Sequence, residues 1–414
     1  MRGMRLRALV VVLVVAILSF VAVTTFAAGY HGALVQLVSP GGSIQSAVDR
    51  AAPGGWIFVL PGVYRETADA TNGLNITTGV HLVGLSTARA RVVLENAGGQ
   101  NNGIVVVPAD RTRCMSCHTS LAPPFPLAPG VKAGGATMRT PMIRDFSISG
   151  ITIRDFANNG LFLENVDGFS IVDVESVDNR NYGIFPTLSK NGSIEQSHAT
   201  GSGDTGVWVE TSQNVRVTDT LVEGNLVGFE VSNSDDIQLA HNESRHNSLG
   251  MGIFLLPGLF AERPGAKRIT VELNSIHDNN RPNDGPPGTL LAALPNGTGI
   301  LQIGVDDSLI TRNRIENNGL VGVALVDVCV GFAGTDFDCG VNPAVTPAFL
   351  ADQNATGNRI VANDLVNNGT NPGTQPFAFA ASDLALLSFG AGNCYAHNIF
   401  TSTFSIAGAL PSCP

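Results

Sequence analysis

Cys114, Cys117 and His118 stand in the order C-x-x-C-H, the spacing by which c-type haem is covalently attached. In that reading the two thiols form thioethers and His118 gives iron one axial nitrogen. Met138 or Met142, later in the same Pro/Gly-rich stretch, or a histidine from another loop, would supply the second ligand. A tight disulfide pinning the loop, or a partial zinc site, would use the same cysteines. A second set is Asp219, His241, Glu243 and Arg245, the last three within "HNESRHN". Proton abstraction beside a uronate carboxylate needs a base near the carbon acid and a cation for the carboxylate, and this set has both. Alternating polar residues are also what any solvated strand face shows. The pairs Asp235-Asp236 and Asp306-Asp307 are candidate calcium ligands, though they read as turn residues without a full oxygen set.

Which of these chemistries is open depends on compartment. Arg2, Arg5 and Arg7 precede an uncharged apolar run from Ala8 to Val23, and Thr25 and Ala27 place small residues where a signal peptidase reads them. The pattern predicts a secretory signal over residues 1–27; the alternative is an uncleaved anchor, in which case the membrane joins the partners. Formal charge is −10, with 24 basic and 34 acidic residues. Without the three signal arginines, 21 basic residues face 34 acidic ones, or −13. That balance excludes nucleic acid as a general partner, and an anionic substrate must be met by local arginines. In an exported chain the remaining cysteines read as disulfides, Cys329 near Cys339 and Cys394 with Cys413, although spacing alone leaves the connectivity open.

The elements that must position these residues are repeats. "SPGGSIQSAVDRAAPGGWIFVLPGVYRE" begins with a short amphipathic helix from Ser43 to about Ala52, with Ile44, Ala47, Val48 and Ala51 at helical spacing. A strand follows at Trp56 to Leu60. Thereafter a glycine followed by a hydrophobic strand recurs at Gly160, Gly183, Gly206, Gly228, Gly252, Gly299 and Gly322, at intervals of 23, 23, 22, 24, 47 and 23 residues. An apolar position recurs eleven residues later at Ile171, Ile194, Val217, Leu239 and Ile310. Units of this size cannot bury a core alone, so they must stack, with equivalent residues about 4.8 Å apart and backbone hydrogen bonds running between coils. Asn-rich corners such as Asn158-Asn159 and Asn317-Asn318 suit the turns, and Asn242-Glu243-Ser244 reads as a turn rather than a glycosylation site.

The opening "IQSAVDRAAPGGWIFVLPGVYRE" and the coils from Gly160 onward resemble the right-handed parallel β-helix repeat proteins of the pectate-lyase-like superfamily. "SHATGSGDTGVWVETSQNVRVTDTLVEGNLVGFEVSNSDD", "GIFLLPGLF" and "NGTGILQIG" are similar to an exported bacterial branch of it. The resemblance covers most of the chain and implies the fold; the superfamily holds polysaccharide lyases, hydrolases, C5-epimerases and periplasmic metal-maturation proteins.

The expected architecture is an all-β, single-stranded right-handed parallel β-helix over residues 28–414, capped by the short helix. Excursions are expected at 108–141, 281–297 and 331–357. If the residues one and three after each glycine face inward, Phe162, Phe185, Trp208, Glu230 and Phe254 form an outward column. Exposed, it would suit the apolar faces of sugar rings; under a loop, it would be a covered cluster. The expected partner is a polysaccharide or cell-surface glycan. A redox partner is expected if haem is attached, and uronates are the substrate if the chain is a lyase or epimerase.

Overall fold

The computed structural model describes residues 32–109, 141–257, 265–335, 337–343 and 345–414. The predicted signal segment, and Cys114, Cys117, His118 and Met138 of the first excursion, lie outside those residues.

Alternating apolar residues build short strands, and the chain winds them into coils with one strand in each of three parallel sheets of twelve, ten and eleven strands. A representative coil runs Gln213–Thr218, Leu221–Glu223 and Val227–Ser232, one strand per sheet. Register is by equivalent residue: Ile171 pairs with Ile194, Ile194 with Val217 and Val217 with Leu239. These side chains are buried in one continuous aliphatic interior. The fold is the expected single parallel β-helix.

The glycine file is set by close approach of adjacent coils. A Cβ at Gly160 would lie 2.7 Å from the carbonyl oxygen of Gly183, and one at Gly206 would lie 2.9 Å from that of Gly228. No other residue fits that spacing. One member of the predicted file is corrected: the next glycine after Gly228 is Gly250, whose own Cβ would meet the Gly299 carbonyl at 2.6 Å. Gly252 lies two residues further along the same strand. The motif "GMG" offers two glycines of equal parity, and only the backbone contact chooses between them.

Asparagines at two corners form continuous ladders. Asn242, Asn274, Asn313, Asn363 and Asn398 each pass an amide hydrogen bond to the next, at 3.1, 2.9, 3.0 and 2.9 Å. A second ladder runs from Asn225 through Asn247, Asn279, Asn318 and Asn368 to Asp383, at 3.0 to 3.2 Å. Asn242 is buried, as its turn reading requires.

The N-terminal cap is α1 (Ile44–Arg50), with Ser43 as N-cap accepting from the Ser46 amide. Glu66 supports that start, accepting from Ser43 Oγ at 2.9 Å and from the Ile44 amide at 2.5 Å. Ile44, Ala47 and Val48 face the first coil and are buried. The excursion at 281–297 contains α2 (Leu290–Ala293), α3 (Val328–Gly331) leads into the one at 331–357, and that one contains α4 (Pro347–Ala351). Cys329 is bonded to Cys339 and Cys394 to Cys413.

Candidate functional site

The outer face of the eleven-stranded sheet carries two files of side chains and changes character along the helix axis. In the first file Val105, Phe162, Phe185, Trp208 and Glu230 succeed one another, followed by Gly252, Leu301 and Ala324. In the second, Glu164, Thr187, Glu210 and Ser232 are followed by Phe254, Ile303 and Val326. The early coils are aromatic and acidic; the later ones are apolar. Residues of the last excursion and of a later loop close over this part: Phe332 packs edge-on to Phe254 at 6.3 Å, while Gly331 and the loop residue Phe377 join Ile303 and Val326 in lining one apolar crevice.

One expectation is therefore corrected, and between the exposed and the covered column the structure has the covered one. Phe254 pairs with Ser232 rather than Glu230, because Gly250 heads its strand, and its ring folds back over Gly252. Nor is the column an exposed stripe. Phe162, Phe185 and Phe254 are 4%, 3% and 1% exposed, Glu230 is 7%, and Trp208 is half-buried. Phe162, Phe185, Val105 and Val107 form a separate apolar cluster on the outside of the wall, with Tyr182 and Trp208 at its margin. Alternation decides which way a side chain points, but not whether another segment lies above it.

At that margin the rings are ordered. Trp208 stacks on Phe185 with centroids 4.3 Å apart and planes 5° from parallel, and Tyr182 leans on Trp208 at 4.6 Å. Beside them Glu230, a member of the predicted column, joins Asp204 and Glu210, which the sequence did not single out, in an acid cluster. Thr205 Oγ1 lies 2.9 Å from Asp204 Oδ1 and 3.0 Å from Glu230 Oε2. Ser232 Oγ donates to Glu230 Oε1 at 2.7 Å and accepts from Trp208 Nε1 at 3.2 Å, while Thr187 Oγ1 donates to Glu210 Oε2 at 2.7 Å. A threonine hydroxyl has one proton, so it donates to one of its two carboxyl neighbours and the other contact needs a carboxyl proton. The geometry thus holds Asp204 and Glu230 as a proton-sharing pair.

Electrostatics agree. Burial pushes Glu210 up to about 7, and the nearby Glu164 charge adds to it. Burial raises Asp204 as well; Glu230 is raised by burial and then by the charge on Asp204. Tyr182 is held well above its ordinary value by burial and then by Asp204, Glu230 and Glu210. The arrangement can hold both an acid and its conjugate base near neutral pH beside an indole face. A register signal marks part of it: the fourth residue after the file glycine is Glu164, Thr187, Glu210 and Ser232 on successive coils.

The predicted set of Asp219, His241, Glu243 and Arg245 lies elsewhere. Glu243 and Arg245 meet on the outer face of the ten-stranded sheet, where Arg245 Nη1 donates to Glu243 at 2.8 Å and its Nε donates to Glu223 at 2.9 Å. His198 and His277 flank them, 3.2 Å from Glu223 and 3.4 Å from Glu243. Burial pulls the Glu223 carboxyl up, but the Arg245 hydrogen bond and charge outweigh it and hold the group below its usual range. Asp219 and His241 sit exposed at the corner between sheets, both at positive φ, with no hydrogen bond or ion pair to Glu243 or Arg245. This is a charge ladder along a solvated wall. Met142 is half-buried at the start of the described coils after the first excursion.

Residues 147–376, more than half of the chain, match the family described as periplasmic copper-binding protein (NosD). The chain belongs to the NosD family. No curated protein sequence matches it. Among solved structures, this NosD-family chain is similar to the A-module of Azotobacter vinelandii mannuronan C-5 epimerase AlgE4, at 18% identity and a TM-score of 0.56 over 87% of this chain and 94% of that one. It is also similar to the periplasmic alginate epimerase AlgG, at 14% identity and a TM-score of 0.52 over 88% of this chain and 77% of that one. A third is DFA-IIIase from Arthrobacter chlorophenolicus, at 12% identity and a TM-score of 0.51 over 88% of each chain. At these identities the likeness establishes the right-handed parallel β-helix and nothing finer. Membership of a periplasmic family makes the chain an exported protein.

The family description raises the question of copper. Among the described residues no three His, Cys, Asp or Glu side chains converge as a metal-holding group. The acid cluster lacks imidazole and sulfur, and four of the six cysteines are spent on disulfides. The described residues do not fit a copper centre.

Proposed function

We propose that this NosD-family chain is an exported β-helix protein that binds or acts on polysaccharide through the aromatic–acid margin of its eleven-stranded sheet. The observation that carries the reading is the half-buried Trp208, stacked on Phe185 and hydrogen-bonded through Ser232 to the proton-sharing Glu230. An indole face suits the apolar face of a sugar ring, and adjacent carboxyls in opposite protonation states are the groups that move protons at a glycosidic or ring carbon. The test is titration calorimetry against a panel of cell-wall and plant polysaccharides. Binding that weakens at least about tenfold in Trp208→Ala, a loss of about 1.4 kcal/mol, is the expected result. No binding to any member of the panel overturns it.

The family description favours a second reading for the segment around Cys114. We propose that any resident metal of this chain is held by its thiols and imidazole, with Met138 or Met142 as a thioether donor, a set suited to c-type haem or to copper. Haem there would serve periplasmic electron transfer. Protein exported with cytochrome maturation machinery is examined by mass, visible absorption and metal content. A haem mass, or copper lost in Cys114→Ser/Cys117→Ser, supports the reading; metal-free protein with a Cys114–Cys117 disulfide refutes it.

A further inference from the structure

We infer that the outer face of the twelve-stranded sheet is a second glycan-binding track, separate from the aromatic–acid margin, and that it takes an acidic saccharide chain whose carboxylate or sulfate rests on Arg216. Six side chains stand in one file on successive coils: Trp56, His81, Ser147, Ser170, Ser193 and Arg216. The next residue along each of these strands, from Ile57 to Val217, is buried in the interior, so the file faces out. At about 4.8 Å per coil, the five steps from Trp56 to Arg216 span about 24 Å.

At one end Trp56 is 43% exposed, although rings hold it in place: His81 at 4.3 Å and Phe58 at 6.1 Å between centroids. His81 Nδ1 lies 2.8 Å from Ser147 Oγ, which fixes the imidazole beside the indole. An indole so held and still open to solvent is a platform for the apolar face of a sugar ring. The three serines that follow are half-buried, and each hydroxyl both donates and accepts, as hydrogen bonding to sugar hydroxyls requires. At the other end Arg216 stands exposed in an open groove of about 530 Å³ that it shares with Ser193, Glu195, Asn214 and Gln238. The other arginine of the groove, Arg268, is taken up by Asp236, to which it donates at 2.7 and 2.9 Å. Arg216 has no ion pair among the described residues, and its planar fork matches a carboxylate or sulfate through two hydrogen bonds. Glu195 lies two residues along the strand from Ser193, in the adjacent outward file, where it can accept from hydroxyls of the sugar that carries the anion. A linear acidic glycan running along the solenoid axis would meet platform, hydroxyl row and cation in that order.

The experiment is calorimetry with neutral, carboxylate-bearing and sulfate-bearing oligosaccharides, each in lengths below and above that span, on the wild type, Arg216→Gln and Arg216→Lys, with circular dichroism to verify an unchanged fold. Acidic chains should bind the wild type, weaken at least about tenfold in Arg216→Gln, keep most of their affinity in Arg216→Lys, and weaken as salt rises. The carboxylate and sulfate arms tell which anion is taken. Trp56 and Trp208 are the two tryptophans of the chain, so in Trp208→Phe the remaining indole emission is that of Trp56. Acidic chains longer than the span should shift that emission at concentrations where shorter ones do not. Binding of neutral chains alone, acidic chains held equally by the wild type and Arg216→Gln, or long chains that leave the Trp56 emission unchanged would each overturn this inference and leave the polysaccharide reading standing. Binding to no glycan overturns both.

Discussion

At the scale of single residues, the acid cluster has a pH signature of definite sign. Glu210, Asp204 and Glu230 are raised in the folded chain, to about 7 for the first two and about 8 for the third, with burial the largest cause in each. Their unfolded values are near 4, so between about pH 4 and about pH 7 to 8 the folded state binds more protons than the unfolded one. Stability contributed by these groups is full below about pH 4, falls as pH rises through the folded values, and then levels. Urea denaturation from pH 5 to pH 9 should show this decline, at up to about 1.4 kcal/mol per pH unit for each linked proton. Glu230→Gln should flatten it. A different buried group tests the interior. Gln302 is fully buried in the inward file between Ile253 and Leu325, and neither of its side-chain polar atoms has a hydrogen-bond partner. Leaving such a group unpaired costs about 1–3 kcal/mol, so Gln302→Leu should raise the denaturation midpoint, with no change in glycan binding.

At the scale of elements, the ladders are where coils are joined most firmly. Asn313 Nδ2 donates to the Val271 carbonyl at 2.9 Å and to Asn363 at 3.0 Å, while its Oδ1 accepts from the Asn274 amide and side chain at 3.0 and 2.9 Å. Asn313→Ala removes all four contacts and leaves buried donors on Asn274 unpaired. A loss of about 2–4 kcal/mol is expected from chemical denaturation, with hydrogen-exchange protection lost first in the coils containing Val271 and Ile360. The exposed Asn367 is the control. It only donates to Asn317 at 2.9 Å on the outside, and Asn367→Ala should change stability by less than about 0.5 kcal/mol.

For the whole molecule, a stack of coils is stable to the extent that each coil has a neighbour, so its ends are its weak points. The N-terminal end is covered by α1. The C-terminal end is held by the Cys394–Cys413 bond, which ties the last strand of the twelve-stranded sheet to the final residues across a separation of 19. Phe389, Ile399 and Phe400 lie exposed near this end. Replacing both cysteines by serine should cost up to about 3 kcal/mol. Limited proteolysis should then begin after Asn393, while fragments containing α1 persist.

Much of this molecule is written in local pattern. The two-dozen-residue period, the inward files through Ile171 and Leu239 and the α1 cap follow from spacing, because a residue's facing in a strand depends only on parity and every coil repeats it, whereas the pairing of Cys329 with Cys339 and Cys394 with Cys413 is set by the fold. Parity does not choose between Gly250 and Gly252, since both satisfy it; backbone contact between coils does, and so moves Phe254 out of line with Glu230. Nor does parity tell a solvated face from a covered one. Asp204, Thr205 and Glu230 lie up to 26 positions apart and become one hydrogen-bonded group only when adjacent coils lie in register. Sequence alone determined that this chain is a solenoid; the stacking of coils and the packing of excursions decided which acids share a proton and which aromatic residues meet solvent. Facing is a property of one strand, whereas burial and shared protons are properties of several.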